Sequence, residues 1–204
     1  MDLGRLLLRG VVGPLFLGHG TQKLFGWFGG HGIEGTGGFF ENLGLRPGKR
    51  HATAAGWAEA GGGALLTLGA FTPLASLLIS STMVTAIRKV HAPKGPWVTD
   101  GGYEYNLALI AAMAAITETG PGSPSVDAKL VPGLKGKGLA LATLGAAVAW
   151  RLPGRSPRLS KKPPVPSTPW PPNHPNSFCV PCPTNSGPTT PRRRSLPKFM
   201  IASR

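Results

Sequence analysis

The chain has 204 residues, enough for one domain with an extension, and its formal net charge is +14 at pH 7. Only 15% of the residues are charged, against about 25% in soluble globular domains. Residues 1–150 carry 12 Lys and Arg and 8 Asp and Glu, whereas residues 151–204 carry 10 Lys and Arg and no acid. Because the half that can fold has a small net charge, a soluble nucleic-acid-binding domain is disfavoured and no specific nucleic-acid partner is expected.

The first apolar segment covers residues 3–25. Its only ionisable or amide side chains are those of Arg5, Arg9, His19, Gln22 and Lys23. The early arginines and leucine-rich centre imitate a secretory signal, but no small-x-small cleavage site follows them in a suitable place. We therefore predict a first membrane-spanning helix that is retained.

Residues 60–87 form an uncharged stretch of 28 residues between Glu59 and Arg88. As one helix it would measure about 42 Å, too long for a hydrocarbon layer of about 30 Å. Pro73 lies inside this stretch, and a proline removes a backbone donor and clashes with the preceding turn. The pattern predicts two helices, near 52–71 and 74–90, that meet in a tight turn.

Two further apolar segments follow, at residues 103–119 and 136–150. In the second, Gly138, Ala142 and Ala146 recur every four residues, a spacing that permits close helix contact but that simple Ala/Gly composition explains equally well. The predicted fold is all-α: a polytopic four-helix membrane bundle, to which the short last segment could add a fifth helix.

The other segments differ in composition. Residues 26–51 are rich in glycine and aromatic side chains, which suits an amphipathic segment lying flat at the membrane–water boundary. Residues 151–204 contain 14 prolines and are typical of a disordered basic tail, or of an out-of-frame reading of a GC-rich gene. We predict a bundle over 1–127, an additional apolar helix over 128–150 and a tail over 151–204.

His19, Gln22 and Lys23 form the first candidate site, because positions i, i+3 and i+4 share one face of a helix. Ionisable groups in lipid usually face a bundle interior or a functional path. These side chains could together hold a quinone carbonyl, a sulfur oxyanion or a proton path. Hydrogen bonding between helices, with the lysine reaching the headgroups, is an alternative of equal weight.

Glu59 is the second candidate, and glycines at 61–63 would let a helix or a flat ligand approach it closely. An unpaired charge in lipid costs about 2.5–3.5 kcal/mol. We therefore expect a basic group of the first helix to pair with this carboxylate, the candidates being Arg5, Arg9 and His19. We also expect the polar cluster to face inward.

Tyr103 and Glu104 open the 103–119 segment, either as an interfacial anchor or as part of a binding site. Cys179 and Cys182 form a CxxC, but a redox dithiol needs a helix N-terminus and a structural zinc site needs four ligands, so we expect neither there. Dinucleotide-binding, P-loop and zinc-protease motifs are absent from the sequence, and no metal site is predicted.

Several motifs resemble the DoxX family of small integral membrane proteins in both order and spacing. They are LLLRGVVGPLFLGHGTQKLFGWFGG, GIEGTGGFFENLGLRPG, AGWAEAGGGALLTLGAFTPLA, the Arg88–His91 stretch and GGYEYNLALI. The resemblance covers about residues 3–127. It implies a four-helix bundle in the bacterial plasma membrane and an association with redox chemistry, as in a thiosulfate:quinone oxidoreductase.

Three functions remain open, and the weakest is a small-solute carrier, which a polar bundle interior permits but no internal repeat supports. In the first, the chain is a membrane oxidoreductase subunit without a covalently bound cofactor, which works with a quinone or a sulfur substrate, membrane lipid and a soluble or membrane redox partner. His19 and Glu59 would then be catalytic. The substrate-binding residues would be Gln22, Lys23, Arg9, Tyr103 and Glu104. In the second, the chain is a non-enzymatic membrane protein that recruits redox enzymes, and its polar side chains only pack helices.

Overall fold

A computed structural model of the chain describes residues 2–149; the predicted tail and its CxxC motif lie outside the described residues. Within residues 2–149 all regular secondary structure is helical and there is no strand, which confirms the predicted all-α class. The helices are α1 (Leu3–Phe25), α2 (Gly32–Asn42), α3 (Gly48–Leu68), α4 (Thr72–Ala86), α5 (Glu104–Thr119), α6 (Val126–Leu130) and α7 (Lys137–Ala149). A π-helical segment, Ile87–His91, continues α4.

The helix boundaries follow local sequence signals. Gly69, with φ of 60°, ends α3 in the left-handed conformation that glycine adopts without strain. Pro73 lies in the first turn of α4, where a missing backbone N–H breaks no helical hydrogen bond. The predicted tight turn is therefore present. Membrane-spanning character is not shown, because none of the helices within residues 2–149 combines the length and hydropathy of a span.

Helices α1 and α3 cross closely at small residues. A Cβ built on Gly63 would overlap the α1 backbone at Gly13 and Leu17, and one built on Gly20 would overlap Ala60. Gly61, by contrast, has open space around its Cα. The contact therefore depends on particular glycines, and side chains that flank this seam are held at a short distance from the opposite helix.

The hydrophobic core lies where α4 meets α1, α3 and α5. Its large buried side chains include Phe16, Leu66, Ile79, Met113 and Ile116. Helix α7 packs on α4 and α5 through Ala140, Thr143 and Ala147. Gly138, Ala142 and Ala146, which were considered as a helix-contact face, are exposed. Within the described chain that prediction is wrong, because α7 packs through the neighbouring face of the helix.

Asp127 of α6 closes one end of the bundle. Its carboxylate accepts hydrogen bonds from the backbone N–H of Phe71 (2.7 Å) and of Thr72 (2.8 Å) and from the Thr72 hydroxyl (2.7 Å). The backbone N–H of Asp127 donates to the Gly69 carbonyl at 2.9 Å. A negative charge at a helix N-terminus is favourable, so Asp127 caps α4 and fastens the α3–α4 turn.

Candidate functional site

A cavity of about 610 Å³ lies among α1, α3, α4 and α5, with α2 on one side and the π-helical segment at one end. Most of its lining is apolar and includes Phe16, Phe39, Phe40, Leu78 and Leu109. Polar side chains also line it; they are His19, Lys23, Glu59, Ser81, Thr82, Thr85, Lys89, His91, Tyr105 and Asn106. A large apolar cavity with a limited set of polar groups is the usual form of a small-molecule site.

A Lys23–Glu59 ion pair joins α1 to α3 at the cavity wall. The Lys23 Nζ and Glu59 Oε2 atoms are 2.5 Å apart, and the side chains are 25% and 8% exposed, respectively. The partner of Glu59 is thus a basic group of the first helix, as expected, but it is Lys23 and none of the three residues named as candidates. Helical geometry explains the difference: Gly20 lies against Ala60, which places Lys23, one turn further along, next to Glu59.

Arg5 and Arg9 have other partners. Arg5 forms an ion pair with Asp2 (2.6 Å) and donates to the Thr119 carbonyl (2.8 Å), and the hydrogen bond from Arg5 lowers the pKa of the Asp2 carboxyl. Arg9 is fully buried and donates to the backbone carbonyl of Pro124. Arg5 thus ties α1 to the end of α5, and Arg9 ties it to the segment that follows α5. Arg9, which was predicted to bind substrate, does not line the cavity.

A short hydrogen-bonded chain orients His19. Its Nδ1 atom lies 3.0 Å from Gln22 Oε1, and Gln22 Nε2 donates to the Phe28 carbonyl at 3.1 Å. Because that carbonyl can only accept, the amide nitrogen must face it, and the amide oxygen then accepts from His19 Nδ1. Gln22 does not line the cavity but positions a histidine that does.

His91 enters the cavity lining from the π-helical segment. Its Nδ1 atom lies 2.7 Å from the Gly101 carbonyl, which identifies Nδ1 as the protonated ring nitrogen. Isolated π-helical turns often occur at functional sites. The sequence showed His91 only as part of a family motif, since nothing in the local pattern placed it near His19.

The start of α5 contributes residues other than the predicted ones. Glu104 accepts a hydrogen bond from the backbone N–H of Val98 (2.9 Å), and neither it nor Tyr103 lines the cavity. Tyr105 and Asn106 do line it, and Asn106 donates to the Met83 sulfur at 3.3 Å. The available signal was a buried amide at the start of an otherwise apolar helix. Within residues 2–149, no cluster of three or more side chains suits a metal ion.

Comparison with known proteins identifies the family of this chain. The sequence profile of the DoxX family matches residues 4–92. A Bacillus subtilis (strain 168) protein named "Putative oxidoreductase CatD" is 33% identical over 116 residues, which are 57% of this chain and 80% of that protein. The chain belongs to the DoxX family. No solved structure matches it.

The part of this DoxX protein that matches the profile contains most of the site. His19, Lys23, Glu59 and His91 all lie within residues 4–92. Asn106 lies beyond that region, as does Asp127, which caps α4. The DoxX region therefore supplies the ion pair and both histidines, and the following helices complete the cavity and the bundle.

Proposed function

We propose that the chain is an integral membrane subunit of a redox system, and that its cavity binds the ring of a small quinone-type ligand beside Lys23 and Glu59. The observation that carries this proposal is the ion pair on the wall of an apolar cavity of about 610 Å³. Membership of the DoxX family and the name of its B. subtilis relative support a redox association.

The outer surface of α1 supports a membrane location. Leu3, Leu7 and Val11 form one stripe along this helix, and each is more than half exposed. Apolar side chains in such a row avoid water, and acyl chains would cover them at no cost. Helices α1 and α3 contain 23 and 21 residues. They are therefore about 34 and 32 Å long, close to the thickness of the hydrocarbon layer.

Exposed aromatic rings gather at the C-terminal end of α1. The ring centroids of Phe25 and Trp27 are 5.2 Å apart, and Trp57 packs edge-on against Phe25 at 6.5 Å. Phe28 packs edge-on against Trp27, also at 6.5 Å. Tryptophan is enriched at membrane–water interfaces because its ring is apolar and its N–H is polar. This cluster supports one membrane boundary at the level of the cavity.

The residues present suit a quinone-type ring. Phe39, Phe40 and Leu109 offer apolar contact, and Lys23 offers an N–H donor to a ring oxygen. When bound, a quinone supplies two-electron, two-proton redox chemistry. The chain's own contribution is to hold the ring, exclude water and keep Glu59 and the histidines available to exchange protons.

An anionic sulfur substrate suits the site less well. Such an anion needs an uncompensated cation, but the charge of Lys23 is neutralised by Glu59. Lys89 is exposed at the edge of the cavity, and the buried Arg9 lies outside it. The charge balance therefore favours an uncharged ring over a sulfur oxyanion.

Two experiments test the proposal. In the first, the membranes that contain the protein are washed with alkali; we expect the protein to stay in the membrane pellet, and its release into the supernatant would contradict the membrane location. In the second, ligand binding is measured with the full-length protein in nanodiscs. Calorimetry with decylubiquinone should show saturable binding. Lys23→Met and Glu59→Gln should each weaken that binding about tenfold or more, because each removes one partner of the ion pair.

The chain offers a matched control in Lys49 and Glu34, an exposed pair that is 2.7 Å apart and lies outside the cavity. Lys49→Met and Glu34→Gln should leave binding unchanged. The double variant Lys23→Met/Glu59→Leu leaves no orphaned charge, so it should fold and still bind weakly. Absence of binding to the wild type, or equal binding by all variants, would instead favour the non-enzymatic recruiting role.

A further inference from the structure

We infer that the cavity binds the reduced, hydroxyl-bearing form of its ring ligand more tightly than the oxidised, carbonyl form. This inference rests on the proposed function and concerns the hydrogen-bonding character of the same site. A carbonyl oxygen can only accept a hydrogen bond, whereas a hydroxyl can donate one. The form that the cavity prefers therefore depends on whether its polar atoms offer hydrogens or lone pairs.

Both histidines offer lone pairs. The Nδ1 hydrogen of His19 is donated to Gln22, and that of His91 is donated to the Gly101 carbonyl. In a neutral imidazole with a protonated Nδ1, the Nε2 atom is an acceptor. His19 comes from α1 and His91 from the segment after α4, so the two acceptors approach the cavity from different elements.

The hydroxyl groups of α4 that line the cavity have the same character. Ser81 donates to the Leu78 carbonyl, and Thr82 donates to the Ile79 carbonyl, each at 2.8 Å. Thr85 donates to the Ser81 carbonyl at 2.9 Å. Each hydroxyl hydrogen is thus used within the helix, and the oxygens keep lone pairs for a ligand.

Glu59 adds a carboxylate, which accepts hydrogen bonds only. The donors that remain are fewer. Lys23 already donates to Glu59 and to the His19 carbonyl, and Asn106 uses one of its two amide hydrogens on Met83. Lys89, Tyr105 and Trp57 are exposed, and so is His19. Among the less exposed polar groups, the acceptors of His91, Glu59 and the three α4 hydroxyls still outnumber the hydrogens that Lys23 and Asn106 have left, which favours a ligand that brings its own O–H groups.

Such a preference would alter the redox equilibrium of the bound ligand. Tighter binding of the reduced form makes the bound ligand easier to reduce, because the additional binding free energy of the reduced form makes the reduction more favourable. For a two-electron couple, each tenfold preference raises the midpoint potential by about 30 mV. The site would accordingly hold a reduced ring as product or as resting ligand.

The test compares three ligands that share one ring and tail: decylubiquinol, decylubiquinone and the dimethyl ether of the quinol, which has no O–H group. Binding is measured by anaerobic calorimetry with the full-length protein in nanodiscs at pH 8. We expect the quinol to bind about tenfold or more tightly than the quinone. The dimethyl ether should lose this advantage.

His19→Phe and His91→Phe keep a ring at each position and remove the acceptor, so each should lower the quinol-to-quinone affinity ratio severalfold. His31→Phe, which changes an exposed histidine outside the cavity, is the matched control and should leave the ratio unchanged. Thr82→Val and Thr53→Val form a second matched pair, because both hydroxyls donate within their own helix but only Thr82 lines the cavity.

The outcomes are distinct. Equal affinities, or tighter binding of the quinone, would overturn this inference and leave the proposed function standing. Absence of binding by either form would overturn the proposed function itself. A quinol preference that persists in the double variant His19→Phe/His91→Phe would overturn the assignment of the histidines as its source.

Discussion

Replacing Asp127 with asparagine should destabilise the bundle by removing the charged cap of α4. The carboxylate accepts three hydrogen bonds from two residues, Phe71 and Thr72, and Asp127 and Thr72 are almost fully buried. An amide has one oxygen, which can keep the two donors of Thr72. Its nitrogen must then face the backbone N–H of Phe71, and two donors cannot bond to each other.

The magnitude follows from these contacts. Loss of one hydrogen bond to a charged group costs about 1.5–3 kcal/mol, and loss of a negative charge at a helix N-terminus adds about 0.3–1 kcal/mol. We therefore expect Asp127→Asn to lower the free energy of unfolding by about 2–4 kcal/mol. At about 2–4 °C per kcal/mol for a chain of this size, the melting temperature should fall by roughly 4–16 °C.

Thermal unfolding in one detergent, followed by circular dichroism, measures this effect. Glu118→Gln is the matched control, because Glu118 is exposed at the end of α5 and forms no hydrogen bond through its side chain within residues 2–149. It should change the melting temperature by no more than about 1–2 °C. If Asp127→Asn melted within 2 °C of Glu118→Gln, the assignment of Asp127 as a cap would be refuted.

Two further predictions concern packing and pH. Gly63→Ala should lower the free energy of unfolding by about 1–3 kcal/mol in chemical unfolding, because the added methyl group would overlap the α1 backbone. Gly61→Ala on the same helix is the control and should be neutral or stabilising. Equal effects of the two substitutions would show that helix propensity, and not the α1–α3 contact, determines the change in stability. The hydrogen bond from Arg5 lowers the pKa of Asp2 below its ordinary value of 3.8, so this contact stabilises the fold above about pH 4 and is lost as the pH falls through the folded-state pKa. The stability difference between the wild type and Asp2→Asn should accordingly shrink below pH 4, and a difference that persists at pH 2 would contradict this assignment.

The main helices could be predicted because their signals are local. The predicted segment 3–25 coincides with α1, and Pro73 marked the boundary between α3 and α4. Charged residues bounded the segment at 103–119 in the same way. Helix α6 was missed because five residues carry too little periodicity, and its role depends on a turn 55 residues earlier in the chain.

The site was predictable only in part. His19, Lys23 and Glu59 stood out as ionisable groups in apolar segments, and the structure brings these three to one cavity. Their pairing could not be read from the sequence, because the register of α1 against α3 depends on where Gly20 meets Ala60. For the same reason the sequence did not identify His91 and Asn106 as site residues, because their positions at the cavity depend on how the helices pack.

The cap on α4 also constrains the order in which the chain can finish folding. During synthesis, Thr72 leaves the ribosome 55 residues before the carboxylate that binds it. The core residues Leu109 and Met113 of α5 likewise arrive after the whole of α4. A nascent chain that has reached residue 92 contains the complete region matched by the family, yet its α3–α4 turn still has unsatisfied N–H groups and its core has no α5. Long-range contacts of this kind delay closure, so α6, a segment synthesised much later, locks a hairpin that was made early.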